Sequence, residues 1–323
     1  MERVISYPRL HVSLFDLGNS TARKHGGAGF SIAGLPVIVD ARQASQMNLI
    51  YSAEVDRSTR KAISSAIHKI EVSRAGAAAQ ICVVGAPPQH IGLGSKTALI
   101  LGVLKAIDLV CSLRLTNSEL QVISGRGGTS GVGINAFFTG GFLVDGGHDS
   151  RTCMDFLPSR FRRPLQIPPP IYRTSIPESW RFHLLLAPGN LTHGAKEREF
   201  FQKNTPIPHK EVFQTIALAY HGLVPAVSTG DLRLLRDVLA SMHRIGFKHR
   251  ELNGQNTAVR NLMKAIHQKS DCAVGLSSMG PLVYAVSNAD DQQLIELLDS
   301  LCCLTGARML GSFSGRNLGF AQQ

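Results

Sequence analysis

The chain reads as an α+β protein. Three observations carry that reading: short β-branched segments mixed with helices in the first half, a long apolar helix directly after a glycine-rich turn, and a second half ordered strand, helices, hairpin-like pair, helix, strand. Residues 3–6 and 11–16 read as strands around Pro8, and residues 30–32 and 37–41 as further strands, with Gly26-Gly27-Ala28-Gly29 as a glycine cluster before them. Ser58-Thr59 is the expected cap of a helix running to about residue 74. Residues 81–84 form a short β-branched strand that Gly85-Ala86-Pro87-Pro88 breaks, and residues 98–113 carry apolar residues at helical spacing. Residues 125–149 are dense in glycine and hold one apolar strand candidate, 142–144. Between 151 and 181, Arg151, Arg160, Arg162, Arg163, Arg173 and Arg181 mix with Pro164, Pro168, Pro169, Pro170 and Pro177. Prolines stiffen a chain and remove backbone donors, so this stretch reads as an interdomain connection. After it come a strand at 182–186, helices at 210–220, 231–245 and 255–267, strands at 272–276 and 282–286, a helix at 289–301 capped by Asn288, and a strand at 308–313. There is no internal repeat and no low-complexity tract.

Composition narrows the function. The 323 residues are 44% hydrophobic and 18% charged, which suits a globular protein with a real core. A formal net charge of +11 suits nucleic acid, an anionic membrane surface or a small polyanion. Aromatics are only 6%, and no Lys/Arg run reaches five, so a nucleic-acid partner is not expected and a phosphorylated small substrate is. Cys82, Cys111, Cys153, Cys272, Cys302 and Cys303 form no CxxC pair and lack zinc-ligand spacing. They read as buried free thiols in a reducing compartment. No apolar run approaches the roughly 20 residues of a spanning helix, so no membrane partner is expected and the cytoplasm is the default.

The sharpest local feature is Gln89-His90-Ile91-Gly92-Leu93-Gly94-Ser95-Lys96-Thr97, between a strand and a long helix. Glycines let backbone approach a ligand, and the free N–H groups of a helix start point at whatever sits there. Ser95 and Thr97 add hydroxyl donors and Lys96 adds a positive charge. The plainer reading is a turn that lets a helix pack. Four glycine-rich segments, 26–29, 92–95, 125–147 and 275–281, suggest one cleft built from loops. Arg9 and His11 share one strand face by the two-residue period, and His11 is either functional or a satisfied half-buried histidine. Arg23, just before the first glycine cluster, is either a bidentate phosphate grip or a solvated charge. Arg126, in Gly125-Arg126-Gly127-Gly128, can present a guanidinium to an anion. Asp145-Gly146-Gly147-His148 offers a Mg²⁺ ligand, an acid/base pair, or an ordinary turn. His193 and His221 read as structural or surface residues, and Met279 before Gly280-Pro281 as packing. Nothing matches a nucleophile elbow or a Walker loop.

The segments PRLHVSLFDL (8–17), ARKHGGAG (22–29), GLGSKTAL (92–99), GRGGTSGVGINAFFTGGFLVDGGH (125–148) and LSSMGPLVYAV (276–286) together resemble the β-ribofuranosylaminobenzene 5'-phosphate synthase family of the GHMP kinase superfamily. The resemblance spans most of the chain in order. GLGSK resembles the superfamily's phosphate loop and GLSSMGP its later glycine-rich motif. Small-molecule kinases of this superfamily carry Asp in a Ser-Gly-x-Asp-Asn pattern, whereas Ser130-Gly131-Val132-Gly133-Ile134 places glycine there. That removes the carboxylate that handles a substrate hydroxyl and favours the synthase over a kinase.

The resemblance implies a two-domain GHMP-kinase-like fold: an N-terminal half with the phosphate loop (1–165), a ferredoxin-like C-terminal half (166–323), and the site between them. It implies the condensation of phosphoribosyl diphosphate with 4-aminobenzoate or 4-hydroxybenzoate, losing CO2 and diphosphate, in tetrahydromethanopterin biosynthesis, with Mg²⁺ and homodimerisation. The implied residues are Arg9, His11, Arg126, Asp145 and His148 for catalysis. Arg23, Gly92, Leu93, Gly94, Ser95, Lys96, Thr97, Ser277, Ser278 and Gly280 are those for substrate and phosphate, and Asp145 is the one for the metal. The alternatives are an ATP-using kinase of this fold and a non-catalytic ligand-binding homologue.

Overall fold

Alternation along the first strands places Val4, Val37, Val39, Ile81 and Val83 on one buried face, and that face sets the first layer. The computed structural model describes residues 1–74, 76–151, 155–158, 166–189, 194–289 and 291–323. Cys153, Arg160, Arg162, Arg163, Pro164 and His193, named above, lie outside the described residues, as does the expected domain cut at 165.

The first half runs β1 (Glu2–Ser6), β2 (Arg9–Asp16), β3 (Arg23–Ser31), β4 (Val37–Gln43), β5 (Asn48–Tyr51), α1 (Arg57–Ser73), β6 (Ala79–Gly85), α2 (Ser95–Val110), α3 (Asn117–Ser124), α4 (Val132–Thr139), β7 (Phe142–Asp145) and β8 (His148–Asp149). The second runs β9 (Pro170–Thr174), β10 (Trp180–Leu186), α5 (Ala195–Asn204), α6 (His209–Leu218), a π-turn at Ala219–Leu223, α7 (Val224–Thr229), α8 (Leu232–Met242), α9 (Gly246–Asn253), α10 (Thr257–Lys269), β11 (Ala273–Leu276), β12 (Leu282–Asn288), α11 (Gln292–Thr305), β13 (Arg308–Ser314) and β14 (Ala321–Gln322).

Three sheets result. One has the order β14-β1-β4-β6-β5, with β5 and β6 parallel, and its apolar face packs on α1 and α2 through Ile63, Ile67, Ile70, Leu99 and Val103. The second has the order β2-β3-β7-β9, with β8 beside β3. The third has the order β11-β12-β10-β13. The sequence β10-α10-β11-β12-α11-β13 with that strand order is the ferredoxin-like split βαβ arrangement, as the resemblance implied. Its α10/α11 side buries Leu262, Ile266, Leu298 and Leu301. Its other face joins the second sheet: Phe30 lies 5.0 Å from Phe142 and 5.3 Å from Phe182, centroid to centroid. Each such side chain, fully buried, contributes about 1.5–3 kcal/mol. Strands also cross between the halves: β9 pairs with β7 and β14 pairs with β1, so both first-half sheets take a strand from the second half.

Several local expectations shift. Gly26-Gly27-Ala28-Gly29 is not a loop but the middle of β3, where a Cβ on Gly29 would stand 2.3 Å from the Leu10 carbonyl oxygen. Asp56 caps α1 instead of Ser58-Thr59, accepting from both of their amides at 2.8 and 3.1 Å. Asp291 caps α11 instead of Asn288, which ends β12. The glycine-dense stretch hides α4, and the long apolar helix begins at Ser95, earlier than its apolar run.

Gly275 of β11 sits opposite Tyr284 of β12, and a Cβ there would lie 2.0 Å from the buried Tyr284 ring. Gly275→Ala is therefore expected to destabilise the fold by about 1–3 kcal/mol through overpacking. Urea titration checks this; an unchanged midpoint at constant slope refutes it.

Candidate active site

Two loops meet backbone to backbone at the mouth of α2. The Gly92 φ is +115° and a Cβ there would lie 2.3 Å from the Ser277 carbonyl oxygen. A Cβ on Gly280 would lie 2.0 Å from the Ile91 carbonyl oxygen. Only glycine permits this approach. The Ser277 hydroxyl donates to the Gly92 carbonyl at 2.7 Å and accepts from the His11 amide at 3.0 Å. Ile91 and Leu93 anchor the turn by burying their side chains in the core shared by the two halves.

Gly94 then enters α2 in the left-handed region, and no side chain caps the helix. Its first turn carries no acidic residue. The first amides of a helix have no intrahelical acceptor, so this mouth carries a partial positive charge. It opens on a cleft of about 200 Å³ bordered by Arg9, His11, Lys96, Thr97, Arg126 and Ser130, among others. The Arg9 side chain lies against Gly94 and donates to the Gly92 carbonyl at 2.6 Å. Burial, then the neighbouring Arg126, lowers its pKa to about 10, so it stays charged at neutral pH. Arg126 donates to the Thr97 hydroxyl at 3.1 Å, and Lys96 reaches the Ser58 carbonyl at 3.3 Å.

Below the cations lies a buried polar layer. Lys248 and Glu251 of α9 form an ion pair at 2.5 Å, with Lys248 also donating to the Leu276 carbonyl at 3.1 Å. Burial lowers the Lys248 pKa and Glu251 partly restores it. His11 is held neutral: burial first, then Arg9 and Lys248, push its pKa well below the ordinary value. Its Nε2 lies 3.2 Å from the Ser130 hydroxyl, which is 2.8 Å from Asp145 Oδ2.

The structure gathers Arg9, His11, Gly92, Gly94, Ser95, Lys96, Thr97, Arg126, Ser278 and Gly280 around the cleft, drawing on three of the four glycine-rich segments. Five implied residues stand elsewhere. Arg23 is exposed and clips the Gly146 and Gly147 carbonyls, the latter at 2.7 Å. Leu93 is core, and Ser277 is fully buried as the bridge between loops. His148 is buried against His25, ring centroids 5.8 Å apart. Asp145 is buried behind the cleft, accepting from the Ser130 hydroxyl and from the Gly131 and Gly147 amides, each at 2.9 Å for the amides. Ser95 borders the cleft, yet its hydroxyl donates to the Pro88 carbonyl at 2.9 Å and closes the turn. Sequence reasoning missed His90, Thr129, Glu197, Lys248 and Glu251; the last two sit three apart in a polar helix and look like solvated charges.

The same geometry tests the implied Mg²⁺ ligand. Both Asp145 oxygens already take N–H or O–H donors, and among the described residues no group of three His, Cys, Asp or Glu side chains could hold a metal. Asp145 therefore does not fit a metal held in the cleft.

No protein-family model matches the chain. Its sequence is similar to the β-ribofuranosylphenol 5'-phosphate synthase of Methanocaldococcus jannaschii, 31% identical over 89% of each chain, and to that of Archaeoglobus fulgidus, 31% identical over 90% of this chain and 89% of the relative. A third, from Methanothermobacter thermautotrophicus, is 29% identical over 99% of this chain and 98% of the relative. The chain belongs to the β-ribofuranosylphenol 5'-phosphate synthase family. Solved structures of the same fold include Streptococcus pneumoniae phosphomevalonate kinase (TM-score 0.69, 11% identical, 96% of this chain and 98% of that one) and Staphylococcus aureus mevalonate diphosphate decarboxylase (TM-score 0.66, 11% identical, 100% and 98%). Those likenesses show the GHMP-kinase fold and no more.

In this β-ribofuranosylphenol 5'-phosphate synthase family chain, Gly133 borders the cleft at the start of α4. A Cβ there would meet only Arg9 at 3.7 Å and Thr97 at 4.0 Å, so space alone does not exclude a larger residue.

Among the described residues no helix is long and apolar enough to cross a membrane.

Asp145 makes one measurable prediction. Burial raises its pKa from 3.8 to about 6, against the opposing hydrogen bonds from Gly147, Ser130 and Gly131. A folded pKa above the unfolded one gives stability that is full below pH 3.8 and is lost as pH rises through 6, about 3 kcal/mol in total. Urea titrations from pH 4 to 7 are expected to show that loss in the native chain relative to Asp145→Asn; parallel curves refute it.

Proposed function

We propose that this chain condenses phosphoribosyl diphosphate with 4-hydroxybenzoate or 4-aminobenzoate, releasing CO2 and diphosphate, as a step towards tetrahydromethanopterin. The observation that carries this reading is the uncapped mouth of α2 ringed by Arg9, Lys96 and Arg126, with glycine at 133. The mouth suits a diphosphate, because backbone N–H groups and fixed cations meet the charge that develops as the anomeric C–O bond breaks. The ring carbon bearing the carboxylate attacks the anomeric carbon. Loss of that carboxylate as CO2 returns the electron pair to the ring, so no base is needed for a ring C–H. Magnesium travels with the diphosphate as part of the substrate. The relatives are named as synthases of a ribofuranosylphenol, which favours a hydroxyl over an amine as the para substituent.

Incubation with phosphoribosyl diphosphate, Mg²⁺ and carboxyl-labelled 4-hydroxybenzoate or 4-aminobenzoate is expected to release CO2 and diphosphate in equal amounts. ADP formation from ATP and a small alcohol, with no CO2, overturns the reading in favour of a kinase. Arg126→Ala is expected to lower kcat/KM by about 100-fold, equivalent to about 2.7 kcal/mol of transition-state stabilisation. Gly133→Asp is expected to weaken phosphoribosyl diphosphate binding about tenfold by pairing with Arg9, measured by calorimetry. Unchanged values in both variants remove the cationic mouth from the mechanism.

A further inference from the structure

His11 borders the cleft, and its Nδ1 is buried with no hydrogen-bond partner among the described residues. The hydrogen-bond chain behind the ring sets its tautomer. Asp145 Oδ2 takes the Gly131 amide at 2.9 Å and so stands as an acceptor toward Ser130. The Ser130 hydroxyl has one proton, and it goes to Asp145 at 2.8 Å. Its lone pairs then face the Val132 amide at 3.1 Å and His11 Nε2 at 3.2 Å. Nε2 must carry the imidazole proton, which leaves Nδ1 bare in a neutral ring. A buried acceptor without a donor is unfavourable, and a ligand donor relieves that.

We propose that His11 reads the para substituent of the aromatic acceptor, its bare Nδ1 taking a hydrogen bond from the hydroxyl or amine para to the carboxylate. This rests on the reaction proposed above. A bare lone pair repels phosphate oxygens, so it belongs on the aromatic side of the cleft. Accepting that hydrogen bond raises electron density at the ring carbon para to the donor, which is the carbon that attacks. Ser130 and Asp145 are positioning residues: they act through the tautomer and touch no substrate.

The test is binding of 4-hydroxybenzoate against 4-fluorobenzoate, near-isosteric but without a proton to donate, measured by calorimetry on the full chain. The native chain is expected to prefer the hydroxyl compound by about tenfold or more. His11→Phe is expected to bring the ratio to about one, and His11→Asn, which puts a carbonyl oxygen in the place of Nδ1, to restore it. Ser130→Ala frees the tautomer and is expected to lower the ratio part-way, with phosphoribosyl diphosphate affinity unchanged in all three. A ratio that survives His11→Phe overturns the proposal. So does a tenfold loss of phosphoribosyl diphosphate affinity in that variant with the ratio intact, since Nδ1 would then serve a ribose hydroxyl. A native chain that ranks the acids as expected but releases neither CO2 nor diphosphate overturns the reaction and leaves the His11 assignment standing.

Discussion

The buried hydroxyl of Ser277 ties the cleft together. It links the Gly92 carbonyl of the α2 turn to the His11 amide of β2, while its own loop belongs to the ferredoxin-like half. The Gly92 carbonyl also receives Arg9. One point of contact thus sets the phosphate turn, the strand carrying Arg9 and His11, and the hairpin of the second half relative to one another. The contact is stringent because backbone meets backbone: Gly92 and Gly280 leave no room for a side chain, and the His11 amide and the Ser277 hydroxyl would lose these partners if the loops parted.

That closure concentrates positive charge. Arg9, Lys96 and Arg126 border the same cleft as an uncapped helix start. The depressed Arg9 pKa, caused by burial and then by Arg126, records the cost of holding them there. A polyanion bound at this mouth, such as the diphosphate proposed above, offsets that cost where charge must be stabilised. The Lys248–Glu251 pair beneath is internally neutral. It leaves the net sign of the mouth unchanged, and its Lys248 adds to the burial and the Arg9 charge that keep His11 neutral.

How much of this was legible in the residues depends on whether local pattern or convergence decides a position. The α2 helix and the strands at 81–84, 182–186 and 282–286 were legible because continuous apolar runs allow few other readings. Arg9 and His11 were placed on one face by strand periodicity, and the structure brings both to the cleft. The helix caps slipped by two or three residues, because Asp56 and Asp291 compete with nearby polar residues of similar capping strength. Gly26 to Gly29 look like a loop, but close packing against Leu10, His11 and Val132 makes them strand. Asp145 and His148 looked like site residues beside glycines, yet β7 and β8 turn them into the layer behind the cleft. Lys248 and Glu251 gave no signal, since an i, i+3 charge pair is ordinary on a solvated helix and only tertiary packing buries it.

The same fold serves kinases, so the chemistry must be argued from what occupies the shared mouth. An unneutralised helix start holds a polyphosphate whatever bond later breaks, and it cannot by itself separate the two reactions. Position 133 can. A phosphoryl transfer to an alcohol has a hydroxyl proton to manage, and a carboxylate at that place is suited to it. A ring carbon that expels CO2 has no such proton, because the departing carboxylate supplies the electron pair that restores aromaticity. Glycine at 133 sits in a space where a side chain would fit, beside an arginine that a carboxylate would neutralise. What glycine leaves at position 133 is Arg9 without a carboxylate from that position beside it, and a site with no group there for a hydroxyl proton, which suits the decarboxylating condensation proposed above better than phosphoryl transfer to an alcohol.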